Sequence, residues 1–158
     1  MNAVDGAVPM NLLELLPYAH VAATGVMVGV IWFCQLVHYP LLALVSERSW
    51  GAYEVAHCNR ITAIVGPAMG VELVAAVALC VPGIWWDEVP WTAWASVALL
   101  GLIWASTAFL QVPLHSRLGA GRDEVALRKL VATNWIRTLA WTARLPLALV
   151  LLTSARPV

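Results

Sequence analysis

Four apolar runs, each near the roughly 20 residues that a helix needs to cross a bilayer, take up most of this 158-residue chain. That pattern restricts the fold more than any other feature. A backbone in hydrocarbon must satisfy its own N–H and C=O groups, so the runs are read as transmembrane helices. Composition agrees: 61% of the residues are hydrophobic and 11% are charged, against about 25% charged in a typical soluble domain. The runs are expected at about 12–45, 59–81, 91–112 and 128–152. Short connections make neighbouring helices antiparallel, so the expectation is one all-α domain, an up-down bundle of four transmembrane helices.

The charges constrain the bundle further. Arg48, Arg60, Arg117, Arg122, Arg128 and Lys129 fall at the ends joined by the first and third connections. Asp5, Glu14, Asp87 and Glu88 fall at the other ends, where Arg156 is the only basic residue. The positive-inside rule then places 46–60 and 114–130 in the cytoplasm and both termini outside, as in a bacterial inner-membrane protein. The basic residues are too sparse and too tied to topology for a nucleic-acid role. The first 16 residues contain no Lys or Arg, so no basic leader of a cleavable signal peptide is expected. Residues 1–11 read as a short polar lead. Cys34, Cys58 and Cys80 have no CxxC spacing and are read as reduced, small apolar fillers.

Inside the apolar runs, the expensive residues are the informative ones. Asn134, Arg137, Trp141 and Arg144 recur at three, four and seven residues and share one helix face. Each arginine near the bilayer centre costs roughly 2.5–3.5 kcal/mol on insertion scales. Counted along the helix at 1.5 Å per residue, Arg137 lies roughly 10 Å deep, Arg144 roughly 21 Å and Glu72 of the second helix roughly 17 Å. A buried pair between Glu72 and Arg144, with Arg137 as the competing partner, is the expected compensation.

Several local features carry structural expectations. Pro17 marks a first turn, Pro40 a kink or exit and Pro113 a helix break. Gly66-Pro67 and Gly70 suit a close helix contact or a kink. Asp123 and Glu124 suit a helix start. Trp50, Trp85, Trp86, Trp91, Trp94 and Trp135 are assigned to an interfacial aromatic belt. Trp32, Trp104 and Trp141 are assigned to deeper packing.

The antiparallel topology collects His38, His57, Arg60, Gln111, His115, Asn134 and Arg137 at the cytoplasmic ends of the four helices. Taken singly, such residues cap helices, snorkel or meet lipid phosphate. As a set they form a polar pocket: imidazoles that exchange protons near neutral pH, and guanidinium donors for an anionic oxygen. His57 and His115 are the candidate bases, and His38, Arg60, Gln111 and Trp141 the candidate ligand-binding residues. His38, His57 and His115 could converge on one ion, but local spacing lends that little support, so no metal ligands are assigned and a metal-binding redox protein stays an alternative. Haem held between two helices by two histidines, with arginines at the propionates, stays an open cofactor alternative. None is required by the leading reading.

Two resemblances bear on function. Pro113-Leu114-His115-Ser116-Arg117-Leu118, followed by Thr133-Asn134-Trp135-Ile136-Arg137-Thr138-Leu139-Ala140, resembles the anthrone oxygenase-like family of small four-helix membrane proteins. That family shows a P-x-N-x-x-L turn after its third helix and an N-or-H-x-x-R-T segment opening its fourth; His115 stands where it usually has Asn. His-Tyr-Pro-Leu-Leu at 38–42 is similar to the end of its first helix. The resemblance implies an oxidoreductase or binder for an apolar aromatic molecule, by way of cofactor-free oxygenation of phenolic substrates. His115 or His57 would be the general base, with Arg137 and Asn134 stabilising the oxyanion. Trp32-Phe33-x-x-Leu36-x-x-x-Pro40-x-Leu42 is similar to the first helix of four-helix haem-associated protoporphyrinogen oxidases. Those place a histidine about two turns before the tryptophan, whereas His20 here is twelve residues before Trp32. The rival class is non-enzymatic, an accessory subunit bound to a membrane-protein partner, with the polar residues serving packing and lipid contacts.

Overall fold

The computed structural model describes residues 12–155. Asp5, Arg156 and the 1–11 lead lie outside the described residues. Six α segments stack end to end into four rods: α1 (Leu12–Phe33) with α2 (Tyr39–Leu42), α3 (Glu47–Ala78), α4 (Trp91–Ser106) with α5 (Val112–Ala120), and α6 (Glu124–Ser154). No strand occurs among the described residues. All four rods are long and apolar enough to cross a membrane, and the chain is an all-α four-helix bundle. Residues such as Leu44, Phe109 and Trp91 stand exposed on the outside, which suits a surface that meets lipid tails instead of water. α6 packs against α1 and α4, and α1 also packs against α3, while α3 and α4 meet sparsely.

The rods begin and end elsewhere than the apolar runs suggest. α3 starts at Glu47, twelve residues before the expected start at 59, because Trp50 is buried and donates from Nε1 to the Leu118 carbonyl at 2.8 Å. That bond and the cation–π contact of Arg122, 5.1 Å above the Trp50 ring, hold a polar-looking segment as helix against α5. Trp50 is thus core and not belt, and so is Trp85, at 1% and 3% exposure. Trp104, assigned to deeper packing, instead faces outward at 39% exposure. Trp32 sits edge-on to Trp135 at 5.7 Å and donates to Thr142 at 3.0 Å.

Pro113 does not break its helix. A π-turn spans Thr107–Gln111, with the Val112 amide bonded to the Thr107 carbonyl, and α5 continues from it. The first rod repeats the device: a π-turn spans Cys34–His38, and the Tyr39 amide bonds to the Cys34 carbonyl just before Pro40. A proline ring clashes with the carbonyl four residues back. Widening the preceding turn removes the clash and lets the rod run on. Pro17 and Pro67 lie inside α1 and α3 without ending them. A Cβ added at Gly66 or Gly70 would meet nothing within 4 Å, so neither glycine mediates a close helix contact.

The turns at the basic end are stapled together. Arg122 donates to the carbonyls of Ala43 and Val45 and to Glu124. Asp123 Oδ1 accepts from the amides of Val125 and Ala126, both at 2.9 Å, which makes it the N-cap of α6. Those amide bonds, the one from Ala126 first, and Arg117 at 2.6 Å hold the Asp123 carboxyl below the usual carboxylate range. At the other end, Gly83 (φ +76°) turns the chain so that its amide reaches the Trp86 carbonyl at 3.0 Å.

Candidate functional site

A cavity of about 400 Å³ opens between α1, α3, α5 and α6. One wall is apolar, built from Met27, Ile31, Ile61, Val65, Met69 and the Trp141 ring. The cavity's polar lining includes His57, Cys58 and His115 together with Thr107, Gln111 and Arg137. The volume falls in the range of small-molecule pockets, and so does the pattern of apolar walls with a few converging polar groups.

The imidazole side is organised by a residue that the sequence reading passed over. Glu54 is buried, at 1% exposure, and its Oε1 lies 2.6 Å from His115 Nδ1. One turn on along α3, Cys58 Sγ lies 3.6 Å from Glu54 Oε1 and 3.8 Å from His115 Nδ1. Glu54 Oε2 has no hydrogen-bond partner among the described residues. His57 stacks on His38 at 3.9 Å between ring centroids and 13° between planes, and its ring lies 5.8 Å from that of His115. The Tyr53 ring also lies nearly parallel to that of His38, 6.1 Å between centroids, with its hydroxyl 3.4 Å from His38 Nδ1. The three histidines assigned to separate helix ends are therefore one ladder. Only His57 and His115 line the cavity; His38 stands behind them. A local signal for this cluster was present: Glu54-x-x-His57-Cys58 puts a carboxylate, an imidazole and a thiol within one helical turn. The polar 46–60 segment reads as a connection in the sequence, which hides the helical spacing of Glu54 with the residues after it.

Arg137 is held toward the cavity by a chain of amides. Gln35 Nε2 donates to the Val131 carbonyl at 3.3 Å, and Asn134 Nδ2 donates to Gln35 Oε1 at 2.7 Å. Asn134 Oδ1 accepts from Arg137 Nε and Nη2 at 3.1 and 2.6 Å, while Arg137 Nη1 reaches Thr107 Oγ1 at 3.3 Å. Asn134, expected to meet the substrate oxyanion, does not line the cavity; its carbonyl oxygen and amide are both occupied in placing Arg137. Gln111 does line it, donating to Thr133 at 3.0 Å while its Oε1 is buried without a partner among the described residues. Arg60 is exposed and lines a separate, shallow depression beside Tyr53 and His57.

Behind the cavity lies the deep pair. Arg144 and Glu72 are fully buried, and Arg144 Nη1 donates to Glu72 Oε1. Thr24 donates to the same oxygen at 2.9 Å, and Trp141 Nε1 donates to Oε2 at 3.0 Å. Arg144 Nε reaches Ser96 at 3.4 Å. Arg137 is absent from this group; its Cζ stands 5.9 Å above the Trp141 ring on the cavity side. Trp141 thus separates the two centres, its ring facing the cavity and its N–H bonded to Glu72. His20, near the same depth of the bundle, is buried with neither ring nitrogen hydrogen-bonded among the described residues.

The arrangement bears on one histidine pair of the haem alternative, His38 with His57. A haem held between two histidines needs both lone pairs to point at one iron. His38 and His57 are stacked nearly face to face, so their lone pairs lie in parallel planes, and a haem clamped between them does not fit. Comparison with protein-family models, with curated proteins and with solved structures finds no match to this chain.

Proposed function

We propose that this integral membrane protein takes up an apolar aromatic molecule carrying an acidic hydroxyl, and deprotonates it in the cavity. The observation that carries the reading is the joint placement, on the wall of one largely apolar cavity, of His115, hydrogen-bonded to the buried Glu54, and a positioned Arg137. A carboxylate 2.6 Å from Nδ1 selects the Nδ1–H tautomer of His115 and leaves Nε2 with a free lone pair. The hydroxyl proton moves to Nε2 while its bonding electron pair stays on oxygen. Glu54 then stabilises the imidazolium, and Arg137 faces the new anion. The resemblance to the anthrone oxygenase-like family would extend this to oxygenation of the anion by O2 as co-substrate. The pocket end is placed at the cytoplasmic face of a bacterial inner membrane, on the strength of its basic residues. Labelling a cysteine introduced at Gly119 from the outer side would reverse that orientation.

The test uses the purified, chelator-treated protein in detergent with 2-naphthol as probe. Saturable binding is expected, with the absorbance of the naphtholate at a pH where the free probe is neutral. R137Q should retain the fold and lose the anion signal. An absence of saturable binding, or an equal signal from R137Q, overturns the reading.

A further inference from the structure

We infer that Glu54, Cys58 and His115 form a binding site for a divalent zinc-type ion, with its fourth coordination position open to the cavity. The three donor atoms, a carboxylate oxygen, a thiol sulfur and an imidazole Nδ1, all lie within 4.8 Å of one another. A thiolate, an imidazole and a carboxylate together suit zinc better than the hard cations, which prefer oxygen alone. The site draws on two elements: Glu54 and Cys58 share a face of α3 at a spacing of four residues, and α5 delivers His115.

The distances are close to what coordination demands. Bonds of about 2.0–2.3 Å at a tetrahedral angle set ligand atoms roughly 3.3–3.6 Å apart. The two sulfur separations, 3.6 and 3.8 Å, already fall near that range. The 2.6 Å contact of Glu54 with His115 would open by about 0.7 Å to reach it, a movement within reach of side-chain rotation. In exchange the Cys58 thiol gives up its proton, and the His115 proton passes from Nδ1 to Nε2, which leaves the Nδ1 lone pair for the ion.

Charge and unmet bonding point the same way. Glu54 is nearly fully buried, and its Oε2 has no partner among the described residues; a buried acceptor left bare is costly. One divalent ion bound by a carboxylate, a thiolate and a neutral imidazole makes a set of zero net charge, which suits an apolar surrounding. His115 and Cys58 both line the cavity, and three protein ligands beside an open cavity are the pattern of a metal that receives a further ligand. The π-turn at Thr107–Gln111 is the local device that sets the rotation of α5 and hence of His115. The inference goes beyond the ligand reading and does not need it: with an ion on Nδ1, His115 carries its proton on Nε2, so the metal-bound and general-base states of this ring exclude each other.

The experiment is a Co2+ and Zn2+ titration of the full chain in detergent, after removal of metal by chelation. One equivalent of Co2+ should give a sulfur-to-cobalt charge-transfer band, displaced by one equivalent of Zn2+. The band should persist in C34S/C80S, which leaves Cys58 the one thiol, and vanish in C58S. H115A should weaken Zn2+ binding at least tenfold. A folded protein that binds no Co2+ stoichiometrically, or a band that survives in C58S, overturns the site, as does a C34S/C80S protein without the band. Naphthol binding in chelated protein is measured separately, so that loss of metal binding alone would leave the ligand reading standing.

Discussion

Glu54 and Glu72 lie on the same helix, eighteen residues apart, and both are buried, at 1% and 0% exposure. Their surroundings are opposite. Glu72 has a guanidinium, a hydroxyl and an indole N–H, so both of its oxygens are occupied. Glu54 has one imidazole and one thiol, both on Oε1, and its other oxygen is bare. The first carboxylate closes the bundle: three helices besides its own supply its partners or theirs, and it does not line the cavity. The second does not line the cavity itself, but both of its partners, His115 and Cys58, do, and they are groups that can exchange a proton or bind a metal. Burial alone therefore does not separate a structural carboxylate from a chemical one. What separates them is whether the neighbourhood uses up the bonding capacity of the group.

The sharpest way to break this contrast is to remove one half of the deep pair. E72Q or R144Q alone leaves an unpaired buried charge and should cost about 3–5 kcal/mol, read as loss of the detergent-stable fraction and a lower unfolding midpoint. The double variant should recover part of that loss, whereas E72Q with R137Q should be additive, since Arg137 belongs to the cavity. Additivity in the Glu72–Arg144 cycle would erase the distinction. Second in size is N134A, which strands Gln35 and Arg137 and should cost about 1–3 kcal/mol. It should also weaken naphtholate binding, while E72Q should alter stability far more than any spectral shift of a bound probe. The wall between the centres is tested by W141F, which keeps a ring toward the cavity and deletes the donor to Glu72. A loss of about 1–2 kcal/mol is expected, with ligand affinity nearly unchanged.

The smallest effect lies outside both centres. The folded-state pKa of Asp123 is lowered by the Ala126 and Val125 amides and by Arg117, so its contribution to stability is present above the ordinary carboxylate range. It is lost as pH falls through the lowered folded value. Thermal unfolding of wild type and D123A should therefore differ at neutral pH and converge in strong acid. A difference that persists in acid would mean that the cap acts through something other than its charge.

The stripe of Asn134, Arg137, Trp141 and Arg144 was legible because a straight α-helix repeats at a known angle and a charge in hydrocarbon demands a partner. Depth counted at a fixed rise was enough to bring Glu72 level with the two arginines. Glu54 and Cys58 were not legible by the same means, because the segment that carries them is polar and reads as a connection. It is helical because Trp50 reaches the Leu118 carbonyl and Arg122 ties the adjoining turn to the start of α6. Both are bonds between residues dozens of positions apart.

The amino-acid order by itself determined that this chain has four membrane-length helices, since length and apolarity are sums over local residues and need no knowledge of neighbours. It also determined which residues share a face wherever a helix is regular. The tertiary structure alone decided where that regularity is interrupted. Each π-turn before Pro40 and Pro113 changes the rotation of everything after it, so the facing of His115 cannot be counted from the start of its rod. Depth already favoured Arg144 over Arg137 as the partner of Glu72, but only the packing excluded Arg137, by engaging it with Asn134 and Thr107 on the cavity side. A local pattern says which groups need partners; the packing of distant segments assigns them.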